Sequence, residues 1–157
     1  GLVHFNTAGA GTPPAKSTTD GSEEMSEDDK TIVRHFLTET QNDKNLTIID
    51  DLVADDFVGH TAEVKGPEQL MKVVGYNLDA FPDLKATIED QIPERDMVVT
   101  RYTAKGMQHG MYRGVLPTGE PVSYTVISTQ RVLDRKIVEG WRVVDLLEIV
   151  HQIGAIF

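Results

Sequence analysis

The sequence contains no cysteine, a single tryptophan and few aromatic residues overall, and it has no long uninterrupted apolar run. Without cysteine there can be no disulfide framework, no thiol nucleophile and no zinc-thiolate site. No apolar run is long enough to span a bilayer, which excludes a membrane-embedded helix. The chain does not start with a basic stretch followed by an apolar one, so we expect a cytoplasmic protein.

Positive charge is also scarce, since 15 Lys and Arg residues face 25 Asp and Glu residues and give a formal net charge of -10. Nucleic acids and anionic membranes select clustered Lys and Arg, so neither is an expected partner. A small neutral or apolar ligand fits this composition better. The 157 residues and the hydrophobic content of 39% are ordinary for one soluble domain that closes its own core.

The composition divides the chain into two parts. Residues 1–25 are rich in Gly, Ala, Thr, Ser and Pro, which predicts a flexible N-terminal arm, and residues 26–157 are expected to form the folded domain. Such an arm becomes ordered only against another surface, either its own domain or a neighbouring subunit. At Ser26 the spacing of a capping box predicts the start of the first helix.

The pattern changes from helices to strands near the middle of the chain. Apolar spacing predicts a second helix over 45–53 and a third that opens at Gly66 and stops at Pro82. Strands are predicted over 84–92, 97–108, 122–133 and 137–143, before a last helical segment over 146–153. Helices followed by strands on short turns favour an α+β fold with a mostly antiparallel sheet. Such a sheet can curl into an open cone whose inner pocket holds a small apolar ligand.

Five short stretches in a fixed order carry a resemblance to a known family. They are Ala80-Phe-Pro-Asp-Leu84, Arg101-Tyr-Thr-Ala-Lys-Gly106, Gly114-Val-Leu-Pro-Thr-Gly119, Ile137-Val-Glu-Gly-Trp-Arg-Val-Val-Asp145 and Gln152-Ile-Gly154. Together they resemble the SnoaL-like polyketide cyclases, within the superfamily of nuclear transport factor 2 (NTF2) and ketosteroid isomerase, over about residues 28–155. The resemblance implies an NTF2-like fold, a cone-shaped curved antiparallel sheet forming an open barrel with about three helices enclosing a pocket. It also implies pairing into a homodimer or higher oligomer through the outer face of the sheet.

The same resemblance implies a cofactor-free enzyme that closes a ring in a polyketide by intramolecular aldol condensation, with one aspartate as acid and base. That aspartate falls on Asp145. Many relatives carry histidine where this chain has Gly140 and Gln108. Without these two histidines the site offers a different set of polar groups, which affects the substrate that it can take.

Asp145 has two interpretations. Asp145 and Glu148 have the spacing of a capping box, so the carboxylate could simply cap the last helix. Strict strand alternation instead places Ile137, Trp141 and Asp145 on one face, which would put the carboxylate in a pocket wall beside a large aromatic. There it could act as a general base for a carbon acid.

Other residues are candidates for supporting roles. His60 follows the second helix and could orient Asp145 or bind substrate, or it could merely bond the backbone at a junction. The candidates for substrate binding are Trp141, Arg101, Gln108, Tyr124, Phe81 and His109. Aromatic residues at such positions can equally be plain core, an arginine on a strand can face solvent, and His109 could lie on a loop or rim. No histidine pair has metal-ligand spacing with a carboxylate, so no metal site and no cofactor are expected.

The sequence leaves three functions open. The first is cyclase-type ring closure with Asp145 and possible help from His60. The second keeps the pocket but activates or eliminates water, as in hydrolase, dehydratase and isomerase relatives of the superfamily. The third is a non-catalytic binding module in which Asp145 is only a helix cap.

Overall fold

The structure is a computed structural model that describes residues 21–155, with side chains described from residue 26 onward. Most of the predicted N-terminal arm therefore lies outside the described residues. Its last residues belong to the first helix, which begins at Gly21. The predicted helix start at Ser26 was wrong, because Ser26 lies inside this helix and its hydroxyl donates to the backbone oxygen of Arg95 at 3.4 Å.

Four α-helices are present in the described part of the chain. They are α1 (Gly21–Leu37), which continues into a π-helical turn at Thr38–Asn42, α2 (Ile48–Leu52), α3 (Gly66–Ala80) and α4 (Leu146–Gln152). The third helix has Pro67 in its first turn, where the missing N–H group costs nothing. None of the helices in residues 21–155 is long and apolar enough to cross a membrane.

Six strands form one sheet, and its two ends remain unjoined. The strands are β1 (Val53–Gly59), β2 (Val64–Lys65), β3 (Lys85–Glu94), β4 (Met97–Met107), β5 (Pro121–Leu133) and β6 (Lys136–Val144). Their order in the sheet is β2-β1-β6-β5-β4-β3, and every pair is antiparallel except β1 with β6. The predicted α+β fold with a curled open sheet is therefore confirmed.

The core lies between the concave face of the sheet and the helices. Along β5 every second residue is buried, from Val122 to Val132, which is the period of a strand with one face in the core. The helices contribute Val33, Phe36 and Ile49 to the same apolar layer. This alternation defines the inner face of the sheet and decides which side chains can reach an internal cavity.

A β-bulge in β6 changes which of its residues face inward. Arg131 and Val132 of β5 pair with Glu139 and Ile137, so Val138 is an extra residue on β6. An extra residue in one strand reverses the alternation of the residues after it. Ile137 is 1% exposed on the inner side, whereas Val143, an even number of residues away, is 71% exposed.

Candidate functional site

A cavity of about 710 Å³ lies between the concave face of the sheet and the helices. Its volume is in the range of small-molecule sites in proteins. Most of its lining is apolar, and α3 supplies Leu70, Val73, Val74 and Asn77 to it. These four residues repeat at helical spacing and therefore lie on one side of α3.

The charges around this cavity have one sign. Arg142 and Arg113 line it, and in the part of the chain whose side chains the structure describes no aspartate or glutamate does. This contrasts with the whole chain, whose formal net charge is -10. The cavity is therefore a local positive region inside an acidic protein.

Strand pairing explains why Arg142 points inward. It lies directly opposite Ser128 of β5, which is 3% exposed on the inner face. Directly paired residues on neighbouring strands share a face of the sheet. The β-bulge at Val138 is what gives Arg142 this inward direction. Ser128 and Arg142 both line the cavity.

The backbone of Arg142 is held by one hydroxyl group. The Arg142 N–H donates to the Thr61 Oγ1 at 2.7 Å, and the same hydroxyl donates to the Arg142 carbonyl at 3.0 Å. Just before this point the backbone ladder between β1 and β6 ends with the His60 N–H donating to the Gly140 carbonyl at 2.9 Å. The Thr61 side chain thus continues the ladder by one position and fixes the strand where Arg142 enters the cavity.

Phenol groups surround the guanidinium of Arg142. Burial acts against its charge, but the oxygens of Tyr102 and Tyr124 and a hydrogen bond to Tyr102 outweigh it, so the pKa of Arg142 is raised. Burial also raises the pKa of Tyr124 to about 12, so this phenol is neutral at physiological pH. Among the described residues no carboxylate lies within ion-pair distance of Arg142.

Asp145 is the N-cap of α4. Its Oδ1 accepts a hydrogen bond from the Glu148 N–H at 3.2 Å, which is the capping interaction that the spacing of these two residues predicted. The carboxylate is exposed and does not line the cavity. Its two chain neighbours Val144 and Leu146 do line it, so Asp145 lies at the rim.

Trp141 and Asp145 do not share a pocket wall, and the prediction that strict alternation would place them there was wrong. The β-bulge puts Trp141 opposite Thr129, on the outer side of the sheet, although Trp141 still borders the cavity. Its indole stacks on the ring of His60, with centroids 4.6 Å apart. His60 is exposed, and its Nε2 lies 2.8 Å from Glu139 Oε2.

Gln108 is a loop residue and does not line the cavity. It is fully buried at 0% exposure, and its amide nitrogen donates to the carbonyls of Gly110 and Val115. Its amide oxygen accepts from the backbone and the hydroxyl of Thr118. All four hydrogen bonds of the side chain therefore hold the loop before β5 in place.

The remaining predicted binding residues lie outside the cavity lining. Arg101 is exposed and forms an ion pair with Asp90, at 2.5 Å, between β4 and β3. His109 is exposed on the loop after β4. Phe81 and Tyr124 are buried core residues that pack against each other, with ring centroids 6.4 Å apart.

Phe57 occupies the space beside Gly140. A Cβ atom at Gly140 would lie 3.3 Å from the Phe57 ring, which is a tight contact. The position where many relatives carry histidine is therefore closed by an aromatic side chain from β1.

Within residues 26–155 no group of three His, Asp or Glu side chains could hold a metal ion.

Sequence reasoning missed Arg142, Thr61 and Tyr112 as site residues. Tyr112 lines the cavity beside Arg113, whose guanidinium lies 5.8 Å from the Tyr112 ring centroid. A signal for Arg142 existed, since a charged residue stands between apolar neighbours in β6. Alternation without the β-bulge assigns it to the outer face, so the signal could not be used.

Comparison with known proteins finds a family model that matches most of the chain. The model of the SnoaL-like polyketide cyclases matches residues 31–153. No curated protein compared with the chain matches it.

Solved structures match over most of their length. AclR, a candidate hydroxylase from Streptomyces galilaeus, is 26% identical with a TM-score of 0.76, over 84% of this chain and 88% of AclR. IdmH, a candidate polyketide cyclase from Streptomyces antibioticus, is 30% identical with a TM-score of 0.69, over 80% of this chain and 98% of IdmH. A candidate SnoaL-like polyketide cyclase from a Jannaschia species is 23% identical with a TM-score of 0.77, over 84% and 95%. The fold is the NTF2-like cone. The chain belongs to the SnoaL-like polyketide cyclase family.

Proposed function

We propose that this protein is a cofactor-independent enzyme of the cyclase type that closes a ring in a small, mainly apolar, polyketide-like molecule. The observation that carries the proposal is the cavity of about 710 Å³ with a mainly apolar lining, in a chain of the SnoaL-like polyketide cyclase family. A cavity of this size encloses a molecule of a few fused rings. Enclosure also brings two reacting groups of one molecule together, which lowers the entropic part of the barrier.

The proposed reaction is an intramolecular aldol addition. A base removes a proton from a carbon next to a carbonyl group, and the resulting enolate carbon forms a bond to a second carbonyl carbon of the same molecule. The π bond of that carbonyl breaks, and its oxygen takes up a proton. The protein therefore has to supply a proton acceptor, a proton donor and a cavity that holds the reacting conformation.

Asp145 is the proposed proton acceptor, with His60 as a second group at the rim. Within residues 26–155 no carboxylate lines the cavity, so a carboxylate base from this part of the chain has to come from its edge. Asp145 stands between the lining residues Val144 and Leu146, and His60 stands between Gly59 and Thr61, which also line the cavity. One oxygen of Asp145 caps α4, while the second has no hydrogen bond within the described residues. That oxygen is the one that would take a proton.

The capping hydrogen bond also favours a second candidate, a binding module without catalysis. In that case Asp145 only stabilises the start of α4, and the cavity holds its ligand unchanged. The two candidates differ in one measurable property, because a cap needs an oxygen that accepts a hydrogen bond whereas a base needs an oxygen that takes a proton.

Asp145→Asn tests the proposal. Asparagine keeps the shape and can still cap α4 through its amide oxygen, but it cannot take up a proton. We expect ring closure to slow by roughly 10² to 10⁴ while the thermal midpoint stays near that of the wild type. The probe is an aromatic ketone with a neighbouring 3-oxobutanoate ester side chain, and cyclised product is quantified by chromatography.

Glu148→Gln is the matched control, because it neutralises an exposed carboxylate in the first turn of the same helix. We expect its activity to equal that of the wild type. A folded Asp145→Asn protein that closes the ring at the wild-type rate rejects Asp145 as the base. A wild-type protein that binds the probe without converting it favours the binding module.

A further inference from the structure

The cavity is charged in a way that an apolar ligand alone does not explain. Arg142 reaches it from the inner face of β6, Arg113 borders it, and no Asp or Glu of residues 26–155 lines it. A hydrogen bond to Tyr102 helps to keep the Arg142 guanidinium charged, but no carboxylate within residues 26–155 balances that charge. A guanidinium without a carboxylate partner in a ligand cavity is suited to bind an anionic group of the ligand.

The surroundings of Arg142 do not neutralise it. Within the described residues its guanidinium has no carboxylate partner, and its neighbours include the phenol groups of Tyr102, Tyr112 and Tyr124. The Tyr124 hydroxyl is buried at 3% exposure and meets no hydrogen-bond partner, although the Asn77 side chain faces it. A cation of the cavity lining and a buried hydroxyl of the core therefore lie close together.

The fold fixes the backbone of Arg142 at the cavity. Thr61 binds both backbone groups of Arg142, at 2.7 and 3.0 Å, and the inner face of β6 is set by the β-bulge at Val138. Ser128, which pairs with Arg142, also lines the cavity. A guanidinium held in this way has its planar donors ready for an anionic oxygen, for which its fork geometry is well suited.

We propose that the cavity selects an apolar molecule that carries an oxyanion, and that Arg142 binds this oxyanion. The proposal deepens the function above, since it assigns a charge to the ligand of the same cavity. The oxyanion can be a carboxylate attached to the ring system or the ionised oxygen of an acidic enol. In either case Arg142 stays protonated and transfers no proton, and it contributes charge-assisted hydrogen bonds.

Arg113 adds to this selection from the rim. The Tyr76 hydroxyl accepts from the Arg113 N–H at 3.0 Å, and the Arg113 guanidinium lies over the Tyr112 ring. Tyr76 and Arg113 are exposed, so this second cation is screened by solvent. It attracts an anion toward the opening, whereas Arg142 holds the anion inside.

Two matched pairs of probes test the inference. Naphthalene-2-carboxylate and naphthalene-2-carboxamide have nearly the same shape and differ in charge. The ionised enol 2-hydroxy-1,4-naphthoquinone and its neutral methyl ether, 2-methoxy-1,4-naphthoquinone, form the second pair. Dissociation constants of all four are measured by calorimetry at neutral pH and low salt, with the wild type, Arg142→Gln, Arg142→Lys and the control Arg101→Gln. Arg101 is a suitable control because it is an arginine on the sheet that does not line the cavity.

We expect the wild type to bind at least one charged probe about 10 to 100 times more tightly than its neutral partner, as hydrogen bonds to charged groups do. The pair that shows the preference identifies the oxyanion as carboxylate or enolate. Arg142→Gln should reduce the preference to near one, Arg142→Lys should keep part of it, and Arg101→Gln should keep all of it.

Three results overturn the inference. They are equal affinity of the wild type for charged and neutral probes, no binding of any probe, and a preference that survives in Arg142→Gln. The wild-type comparison decides even if Arg142→Gln fails to fold. A protein that prefers the anions but closes no ring rejects the proposed function alone, and a protein that closes rings without the preference rejects this inference alone.

Discussion

At the scale of single residues, Tyr124 carries a buried hydroxyl that meets no hydrogen-bond partner among the described residues. A buried hydroxyl without a partner lowers stability, because its hydration is lost without replacement. Tyr124→Phe should therefore leave the free energy of unfolding unchanged or raise it by up to about 1 kcal/mol. Tyr76→Phe is the control, since the Tyr76 hydroxyl accepts a hydrogen bond at 3.0 Å. Denaturant unfolding measures both, and a clear loss of stability in Tyr124→Phe would show that its hydroxyl is satisfied in the free protein.

The same scale shows what the sequence could and could not predict. The capping role of Asp145 was visible in its spacing to Glu148, because capping is a local interaction over four residues. The inward direction of Arg142 was not visible, because it depends on one extra residue, Val138, that is recognised only when β6 is paired with β5. The same extra residue separates Ile137 from Trp141, which strict alternation had placed on one face, and turns Trp141 to the outer side of the sheet.

At the scale of the elements, a network of polar side chains links β5 and β6 to the turn between β3 and β4. Arg131 of β5 binds Asp96 in the turn between β3 and β4 at 2.8 Å and Glu139 of β6 at 3.0 Å. Glu139 in turn contacts His60, whose ring stacks on Trp141. The hydrogen bond from His60 lowers the pKa of Glu139 most, and the hydrogen bond from Arg131 lowers it further against the effect of burial.

This network predicts that the stability of the protein depends on pH. A carboxyl whose pKa is lowered on folding stabilises the protein above its unfolded pKa, here 4.5, and loses that contribution as pH falls through the lower folded value. Glu139→Gln should therefore lower the melting temperature by about 1 to 3 °C at neutral pH, and the difference from the wild type should vanish in acid. The melting temperature is measured from neutral pH down to about pH 3. Glu120→Gln is the control for an exposed glutamate, and a difference that is constant with pH would contradict the prediction.

Elements with a clear local pattern were predictable and the others were not. α3 and the four strands β3 to β6 were predicted within a few residues, because apolar spacing, Pro67 and short turns mark them. The strand β1 was missed. Its sequence, Val53–Gly59, contains two adjacent aspartates, and its exposed and buried positions do not alternate. It is a strand because it pairs in parallel with β6, far away in sequence.

At the scale of the whole molecule, the charge of the surface and the charge of the cavity are opposite. The net charge of -10 favoured a neutral or apolar ligand, whereas the described residues that line the cavity include two arginines and no carboxylate. The net charge is a sum over all charged residues, most of which are solvated. It therefore does not reveal the charge of a cavity that only two charged residues line.

Pairing of two copies through the outer face of the sheet stays a prediction. It is compatible with the exposed apolar pair of Ile127 and Val143 on that face.

The most direct test of the central claim is a crystal structure of the wild-type protein with naphthalene-2-carboxylate. The claim is that the cone holds its ligand in the cavity with an oxyanion on Arg142. We expect the rings against Leu70 and Val74, and a carboxylate oxygen at about 2.7 to 2.9 Å from a guanidinium nitrogen of Arg142. A probe bound in the cavity with its carboxylate turned to solvent, or bound only on the outer face of the sheet, would contradict the claim.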